Sequence, residues 1–423
     1  MTLLAVVTLF VLLLSGLPVA FSLGLAGLFL LYLMVGPNAL TAVPQMMFVA
    51  IDSFTLMSVP FFILAADVLV GGGVTNYLIE AVEKLFGHLR GGLATVSVIA
   101  CAFFAAISGS SSATAVAIGS VLAPEMIKRG YNSKYTLGII AVAGGLGILI
   151  PPSIPMIVYG TVAEQSVGKL FLAGVIPGVI LTLALVITGM IVFGRDQASR
   201  GVKRASWREQ GQALKKAFWV LLLPVLIAWT IYGGIATPTE AAGMSVVYAF
   251  LCSLVIYKGL KPKDIIKTLG ESAGSSAMIL LIIGGATVFG YVLTMLQIPQ
   301  KVTAAVLAGN LSPVAFLLIV NGILLVLGCF LDITSILLLT SPIFLPIMRQ
   351  LGIDPIHFAV IFVINMELAL ITPPLGMNLF ILSGITKERI EKVLWGALPF
   401  ALVMLAVLLL VTYVPKLSLL LVR

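Results

Sequence analysis

A pattern of prolines and glycines occurs twice in this chain, 222 residues apart. Pro124, Gly130, Pro151-Pro152, Gly174 and Pro177 recur at Pro346, Gly352, Pro373-Pro374, Gly396 and Pro399 with no gap between the copies. Only 10 of the 54 positions from 124 to 177 match their counterparts, so identity is not what marks the repeat. The marker is punctuation: four of the five prolines in each copy fall in register. Just upstream, the polar run Ser108-Gly109-Ser110-Ser111-Ser112-Ala113-Thr114 stands opposite Asp332-Ile333-Thr334-Ser335. Proline stops a helix because it lacks an N–H donor and crowds the preceding turn. Two matched sets of breaks therefore restrict the chain to two copies of one helical unit. In a membrane protein, breaks and polar tips at matched positions point to a transport site at the repeat interface.

Composition puts those copies in a bilayer. Of 423 residues, 61% are hydrophobic and 9% charged, against about half apolar and a quarter charged in ordinary soluble domains. Residues 2–16, 20–36, 54–78, 171–193, 217–234, 239–257, 275–296 and 393–414 read as long apolar runs, not short alternating strands, so the fold class is an all-α polytopic membrane protein. No Lys or Arg precedes the first run and no small-residue cleavage site follows it, so it reads as a first span and not as a signal peptide. Cys101, Cys252 and Cys329 lie far apart in apolar surroundings and imply neither a disulfide nor a metal framework.

The formal net charge of +8 raises the question of nucleic acid, and its distribution answers it. With the N-terminus outside, 19 of the 24 Lys and Arg residues thread to one face; only Lys169, Lys301, Arg349, Lys416 and Arg423 thread to the other. Cytoplasmic loops carry such an excess, so the positive charge is topology and no nucleic-acid partner is implied. The threading makes residues 1, 169, 301 and 423 periplasmic and residues 90, 129, 205 and 260 cytoplasmic. It also makes the copies inverted: a first repeat over 1–193, a cytoplasmic amphipathic linker over 194–216, and a second repeat over 217–423. Residues 37–53 and 258–272 read either as flat amphipathic connectors or as ordinary polar loops.

Within each repeat two elements stand out. Residues 92–126 and 313–348 read as re-entrant hairpins, each with two short apolar arms around a polar tip. Such a turn at membrane depth is tolerated only where it lines a cavity or is buried in protein. Residues 134–168 and 355–386 read as broken helices interrupted at the Pro-Pro pairs. The first half-helices should stop near Gly147–Ile150 and Ala369–Thr372, freeing carbonyls that suit a cation and amides that suit an anion.

Seven segments carry a resemblance to a known family. GLPVAF at 16–21, GHLRGGLA at 87–94, ISGSSSATAVAIGS at 107–120, ILIPPSIPMIVYG at 148–160, LFLAGVIPG at 170–178, TPTEAAG at 237–243 and PPLGMNLF at 373–380 resemble the large membrane subunit of the tripartite ATP-independent periplasmic (TRAP) transporters, essentially end to end. The resemblance implies sodium-driven uptake of organic acids across the bacterial inner membrane. It implies a periplasmic substrate-binding protein and a small four-helix membrane subunit as partners. It also implies an elevator motion of a transport domain against a scaffold. The Ser-Ser-Ser-Ala-Thr form of the first tip looks closest to sialic-acid-type members, and the expected substrate is an organic acid of the sialic acid or C4-dicarboxylate class.

Sodium, the implied coupling ion, is a hard cation that takes oxygen ligands. The expected sodium-binding residues are Ser108, Ser110, Gly147, Ile150 and Pro152 in the first copy. In the second they are Gly328, Asp332, Thr334, Thr372 and Gly376. Each tip also starts a helix that favours Ser, Thr or Asp as its cap, so capping and ligation can coincide. Asp332 is the sharpest candidate, because a carboxylate at membrane depth is costly. Glu367 and Asp67 are further intramembrane acids, and Glu240 suits a first helical turn. No Lys or Arg occurs at 91–127, 135–168, 302–348 or 350–386. A substrate carboxylate must therefore use amides, hydroxyls or bound sodium, and Ser112, Ser153, Ser335 and Asn378 are the side chains expected nearest it. The alternative is a self-sufficient sodium- or proton-coupled carboxylate carrier without a binding protein. An enzyme is disfavoured: His88 and His357 are isolated and no nucleophile–base set is visible. A channel is disfavoured because matched broken helices suit alternating access.

Overall fold

The structure is a computed structural model that describes residues 1–194, 204–374 and 376–422, and among these every regular element is helical. The first copy comprises α1 (Thr2–Leu14), α2 (Val19–Val35), α3 (Ala39–Ile51), α4 (Ser58–Gly71), α5 (Val74–Phe86), α6 (Leu93–Ser108), α7 (Ser111–Lys128), α8 (Ser133–Gly144), α9 (Leu146–Leu149), α10 (Ile154–Ala163) and α11 (Val167–Phe193). The second comprises α12 (Trp207–Tyr232), α13 (Pro238–Phe250), α14 (Pro262–Met295), α15 (Ile298–Ala308), α16 (Pro313–Gly328), α17 (Ile333–Gln350), α18 (Pro355–Ala369), α19 (Met377–Thr386), α20 (Ile390–Tyr413) and the short α21 (Lys416–Leu419).

Helix boundaries follow the sequence register. Adding 222 to the bounds of α7 gives those of α17, and the start of α8 maps onto the start of α18. Their caps map too. Asn132 accepts from the Lys134 amide, and Asp354 accepts from the amides of Ile356 and His357. Gly130 and Gly352, at matched positions, both hold positive φ, a left-handed conformation that costs glycine little. Both Pro-Pro pairs contain a cis peptide bond.

The copies interlock. α8 packs on α20 while α18 packs on α11; α7 packs on α19 while α17 packs on α10; α2 packs on α14 while α4 packs on α13. At the α8–α20 crossing the backbones touch, since a Cβ on Gly138 would lie 2.0 Å from the carbonyl carbon of Gly396. Small residues at membrane helix crossings permit this approach. The innermost elements are the first halves of the broken helices: Thr136–Gly144 and Ile356–Ala369 are buried at every position. A helix apolar on all sides requires such a place.

Among the described residues eight helices are long and apolar enough to cross a bilayer, or nine counting one bent pair. That pair corrects one expectation. Residues 54–78 are not a straight span: α4 and α5 meet at 75° around Gly72-Gly73, where Gly73 is left-handed. A second correction concerns 258–272, which is no separate flat element, because α14 runs unbroken for 34 residues from Pro262. Its counterpart α3 is separate from α4, as expected. The linker expected over 194–216 falls partly outside the described residues, at 195–203. From Trp207 onward it is helical and continuous with the next span, capped by reciprocal bonds between Ser206 and Glu209. Helix α1 has 13 residues, shorter than the 2–16 run suggested.

Candidate functional site

The first tip is a small hydroxyl network. Gly109 turns left-handed and ends α6; Ser110 is extended and caps α7, its Oγ accepting from the Ala113 amide at 3.3 Å. Ser108 Oγ meets Thr114 Oγ1 at 3.0 Å, and Thr114 Oγ1 donates to the Ser110 carbonyl at 2.8 Å. Ser110 Oγ lies 3.2 Å from Ser112 Oγ.

The first break docks onto this tip. The Ile154 amide donates to the Gly109 carbonyl at 3.2 Å. A Cβ on Gly109 would lie 2.7 Å from the Pro152 carbonyl oxygen, and one on Gly147 would lie 2.3 Å from that of Ser110. Both close approaches require glycine. Ser153 caps α10, accepting from the Met156 amide, and its hydroxyl donates to the Ile148 carbonyl, so one side chain ties the two half-helices together. The structure thus brings together Ser108, Ser110, Gly147, Pro152 and Ser153. Ile150 sits at the break with extended backbone. The assembly offers neutral oxygens and the N-terminal ends of α7 and α10, with no cationic side chain from either hairpin or break.

The second tip has the same cap and a looser setting. Asp332 occupies the position of Ser110 and caps α17, accepting from the Ser335 amide at 3.0 Å and, more closely, from the Ser335 hydroxyl. Thr334 is buried in the first turn. Gly328 faces the other broken helix, where a Cβ would lie 2.2 Å from the Cβ of Ala369. Thr372 Oγ1 donates back to the Leu368 carbonyl at 2.7 Å, and the Gly376 amide donates to the Thr372 carbonyl at 3.1 Å. Among the described residues no hydrogen bond links Asp332 or Thr334 to Thr372 or Gly376. The second set of expected ligands is shared between the tip, with Gly328, Asp332 and Thr334, and the break, with Thr372 and Gly376, and Gly328 meets the broken helix at Ala369.

The expected substrate residues divide. Ser112 is half-buried at the first tip, whereas Ser153, Ser335 and Asn378 are buried and engaged within the protein. Asn378 joins the copies: its Nδ2 donates to Ser111 Oγ at 2.8 Å and to the Ala141 carbonyl at 2.9 Å. Of the other acids, Glu240 accepts at 2.8 Å from both the amide and the hydroxyl of Thr237, a first-turn role as expected. Asp67 accepts from Ser272 Oγ at 2.6 Å, linking α4 to α14. Glu367 is buried with both carboxyl oxygens unpartnered. Sequence reasoning missed Ser111 and Thr114, which the serine run contained. It also missed a buried chain in which Asn365 donates to Asn321 and Asn321 to Thr412, each at 3.1 Å. Two asparagines in largely apolar helices were its signal.

Paired tips, paired breaks and an interlocked helical core define a membrane carrier. The sequence profile of the tripartite ATP-independent periplasmic transporter, DctM component, matches residues 6–417, and the chain belongs to that family. It is 44% identical to the C4-dicarboxylate TRAP transporter large permease protein DctM of Pseudomonas aeruginosa, over 94% of this chain and 93% of that protein. Identity to the sialic acid TRAP transporter large permease protein SiaM of Vibrio cholerae is 36%, over 97% and 96%. Identity to the isethionate TRAP transporter permease protein DctMQ of Oleidesulfovibrio alaskensis is 38%, over 95% of this chain and 63% of that one. The family and these relatives are transport permeases, not enzymes. Two solved transporters share the fold at 14% identity. The Alcanivorax borkumensis YdaH transporter superposes with a TM-score of 0.67 over 90% of this chain and 89% of that one. Neisseria gonorrhoeae MtrF superposes with 0.59 over 90% and 85%.

Proposed function

We propose that this chain is the substrate-moving subunit of a sodium-coupled symporter that imports an organic acid of the C4-dicarboxylate class. The observation that carries the reading is the docking of the first tip on the first break. It gathers the Ser110 and Pro152 carbonyls with the Ser108 and Thr114 hydroxyls, an oxygen-rich and cation-free setting that suits Na⁺. A sodium ion there would supply the positive charge that no side chain of the hairpins or breaks offers a substrate carboxylate. The greater identity to the relative named for C4-dicarboxylates than to the one named for sialic acid favours the former class, although the tip resembled the latter.

In this reading the copies have inverted topology in the bacterial inner membrane, with both termini periplasmic and the basic loops cytoplasmic. The hairpins re-enter from opposite faces. The interlocked α2, α4, α13 and α14 act as scaffold, and the hairpins with the broken helices move as the transport domain. A small four-helix membrane subunit and a periplasmic substrate-binding protein complete the system. The name of the DctMQ relative, which this chain spans only in part, accords with such a second membrane component.

The test is uptake of labelled succinate into proteoliposomes under an inward sodium gradient. The chain is reconstituted alone, with the small subunit, and with both partners. Uptake should require both partners and sodium, and sodium should tighten succinate binding by the same factor as succinate tightens sodium, because linkage is reciprocal. Robust uptake by the chain alone would establish the self-sufficient carrier. Uptake of sialic acid but not succinate would move the substrate class. Uptake unchanged when potassium replaces sodium would overturn sodium coupling.

A further inference from the structure

Among the described residues, Glu367 is a buried carboxyl group with no neutralising partner. Glu367 lies in the last turn of α18 and has no solvent exposure, and neither Oε1 nor Oε2 has a hydrogen-bond partner. Its neighbour across the core is Gly145, between α8 and α9, where a Cβ would lie 3.3 Å from Glu367 Cβ and 3.4 Å from its Cγ. Residues 145 and 367 are themselves counterparts, 222 apart. Glu367 therefore sits where the two broken helices cross at equivalent points. One helical turn along α8, the Ala141 carbonyl takes a bond from Asn378, whose buried Oδ1 is also unpartnered.

An ionised carboxylate in that position would forfeit hydration with no return from a partner. The elements packed on α18 bring no countercharge. Helices α9, α10 and α16 carry no Lys, Arg, Asp or Glu, and the only other titratable group in α10 is the Tyr159 hydroxyl, which donates to the Pro355 carbonyl at the far end of α18. The charged residues of α11, α17, α20 and α21 stand in terminal turns: Lys169, Arg349, Glu391, Lys392 and Lys416. On α18 itself His357 and the capping Asp354 are at the opposite end. The nearest expected sodium ligand in sequence, Thr372, is five residues on, beyond the end of the helix.

We propose that Glu367 is a proton-binding site at the crossing of the two broken helices, protonated in the conformation described here. Movement of the transport domain that admits water to the crossing breaks the O–H bond. The proton passes to water and the hydrated carboxylate remains; repacking returns a proton from water to the carboxylate. Proton exchange at Glu367 thereby accompanies each conformational cycle. The site is distinct from the oxygen cluster at the first tip and does not depend on which ion occupies that cluster.

Infrared spectroscopy of the full-length chain in lipid nanodiscs reads this without any substrate. At neutral pH the wild type should show a protonated-carboxyl C=O band that Glu367→Gln removes. Glu367→Asp, which keeps the acid on a shorter stem, should shift it, and this arm holds should the Gln variant fail to fold. A spectrum with no C=O band assignable to position 367 would overturn the proposal. So would a carboxylate band at that position that moves when sodium replaces potassium, since the group would then be an ionised sodium ligand. In reconstituted uptake, the wild-type rate should change severalfold across the neutral pH range and that of Glu367→Gln should not. Equal pH dependence in both would overturn the coupling.

Discussion

At the first tip Ser108 and Thr114 are fully buried and the Gly109 carbonyl is bonded to the start of α10. At the second, Phe330 and Met377 stand 54% and 44% exposed, and the Pro373-Pro374 pair faces outward. The two units share register, caps and breaks, so the contrast must come from substitutions at matched positions. Gly109 corresponds to Leu331, Gly147 to Ala369 and Thr114 to Ile336. Two of these exchanges remove what seals the first unit. Leucine cannot let a backbone carbonyl approach as Gly109 does, and isoleucine cannot donate to the tip carbonyl. The third moves the small residue across the contact, from the break at Gly147 to the hairpin at Gly328. One architecture thus holds a tightly packed unit and a more exposed one.

The largest expected effect breaks the tightly packed unit. Gly147→Ala drives a methyl into the Ser110 carbonyl and to 2.6 Å from Thr114 Oγ1, atoms of the proposed cation site. Sodium-dependent uptake should be lost while protein remains in the membrane. Gly328→Ala meets the methyl of Ala369 at 2.2 Å, with the Ala369 Cα at 3.5 Å and Met366 Cε at 3.8 Å, and should cost about 1–3 kcal/mol of stability by overpacking, with sodium affinity at the first tip nearly unchanged. A lower melting temperature with intact sodium affinity in the Gly147 variant would remove the distinction between the two contacts.

The next effect is on access. Positions 108 and 330 are counterparts, so maleimide labelling of Ser108→Cys and Phe330→Cys compares the two tips directly. Cys101 and Cys252 are buried and can stay; Cys329 is half-exposed and should first become Ser. The Phe330→Cys variant should react faster by more than an order of magnitude. Similar rates would mean that both tips open alike.

Much of this asymmetry was beyond the sequence, while the frame that carries it was not. Prolines and cap residues act locally, and the helix ends at both tips and at both Pro-Pro pairs fall within a residue or two of where they point, with Ser110 and Asp332 as matched caps. The bend at Gly72-Gly73 was missed because hydropathy runs straight through it, and α14 was divided because Glu271 and the serines after it read as an interruption. Capping was foreseen for Asp332 beside sodium ligation, and Ser335 and Ser153, expected near substrate, bond to carboxylate or backbone groups nearby. Asn378 shows the limit most plainly. Its partners Ser111 and Ala141 lie more than 230 residues away in sequence, and no local pattern reports a contact between copies.

The smallest expected effect separates capping from charge at the counterpart positions 110 and 332. Both side chains accept from the amide three residues on, so both should contribute to stability as caps. Ser110→Ala removes its cap and should cost about 0.5–2 kcal/mol. Asp332→Asn keeps a capping oxygen, since Asn caps about as well as Asp, and should leave the melting temperature within a degree or two of wild type on the scale that about 1 kcal/mol sets. Transport gives the second reading. If Asp332 acts only as a cap, its Asn variant should take up succinate at the wild-type sodium concentration. If its charge draws sodium into the more exposed unit, half-maximal uptake should need severalfold more sodium, with the maximal rate retained. The half-buried setting of Asp332 and the loose second tip favour the charge-dependent outcome. A carboxylate within reach of water can exchange a cation readily, whereas in the proposed reading a cation at the sealed first tip would leave only as that tip came apart.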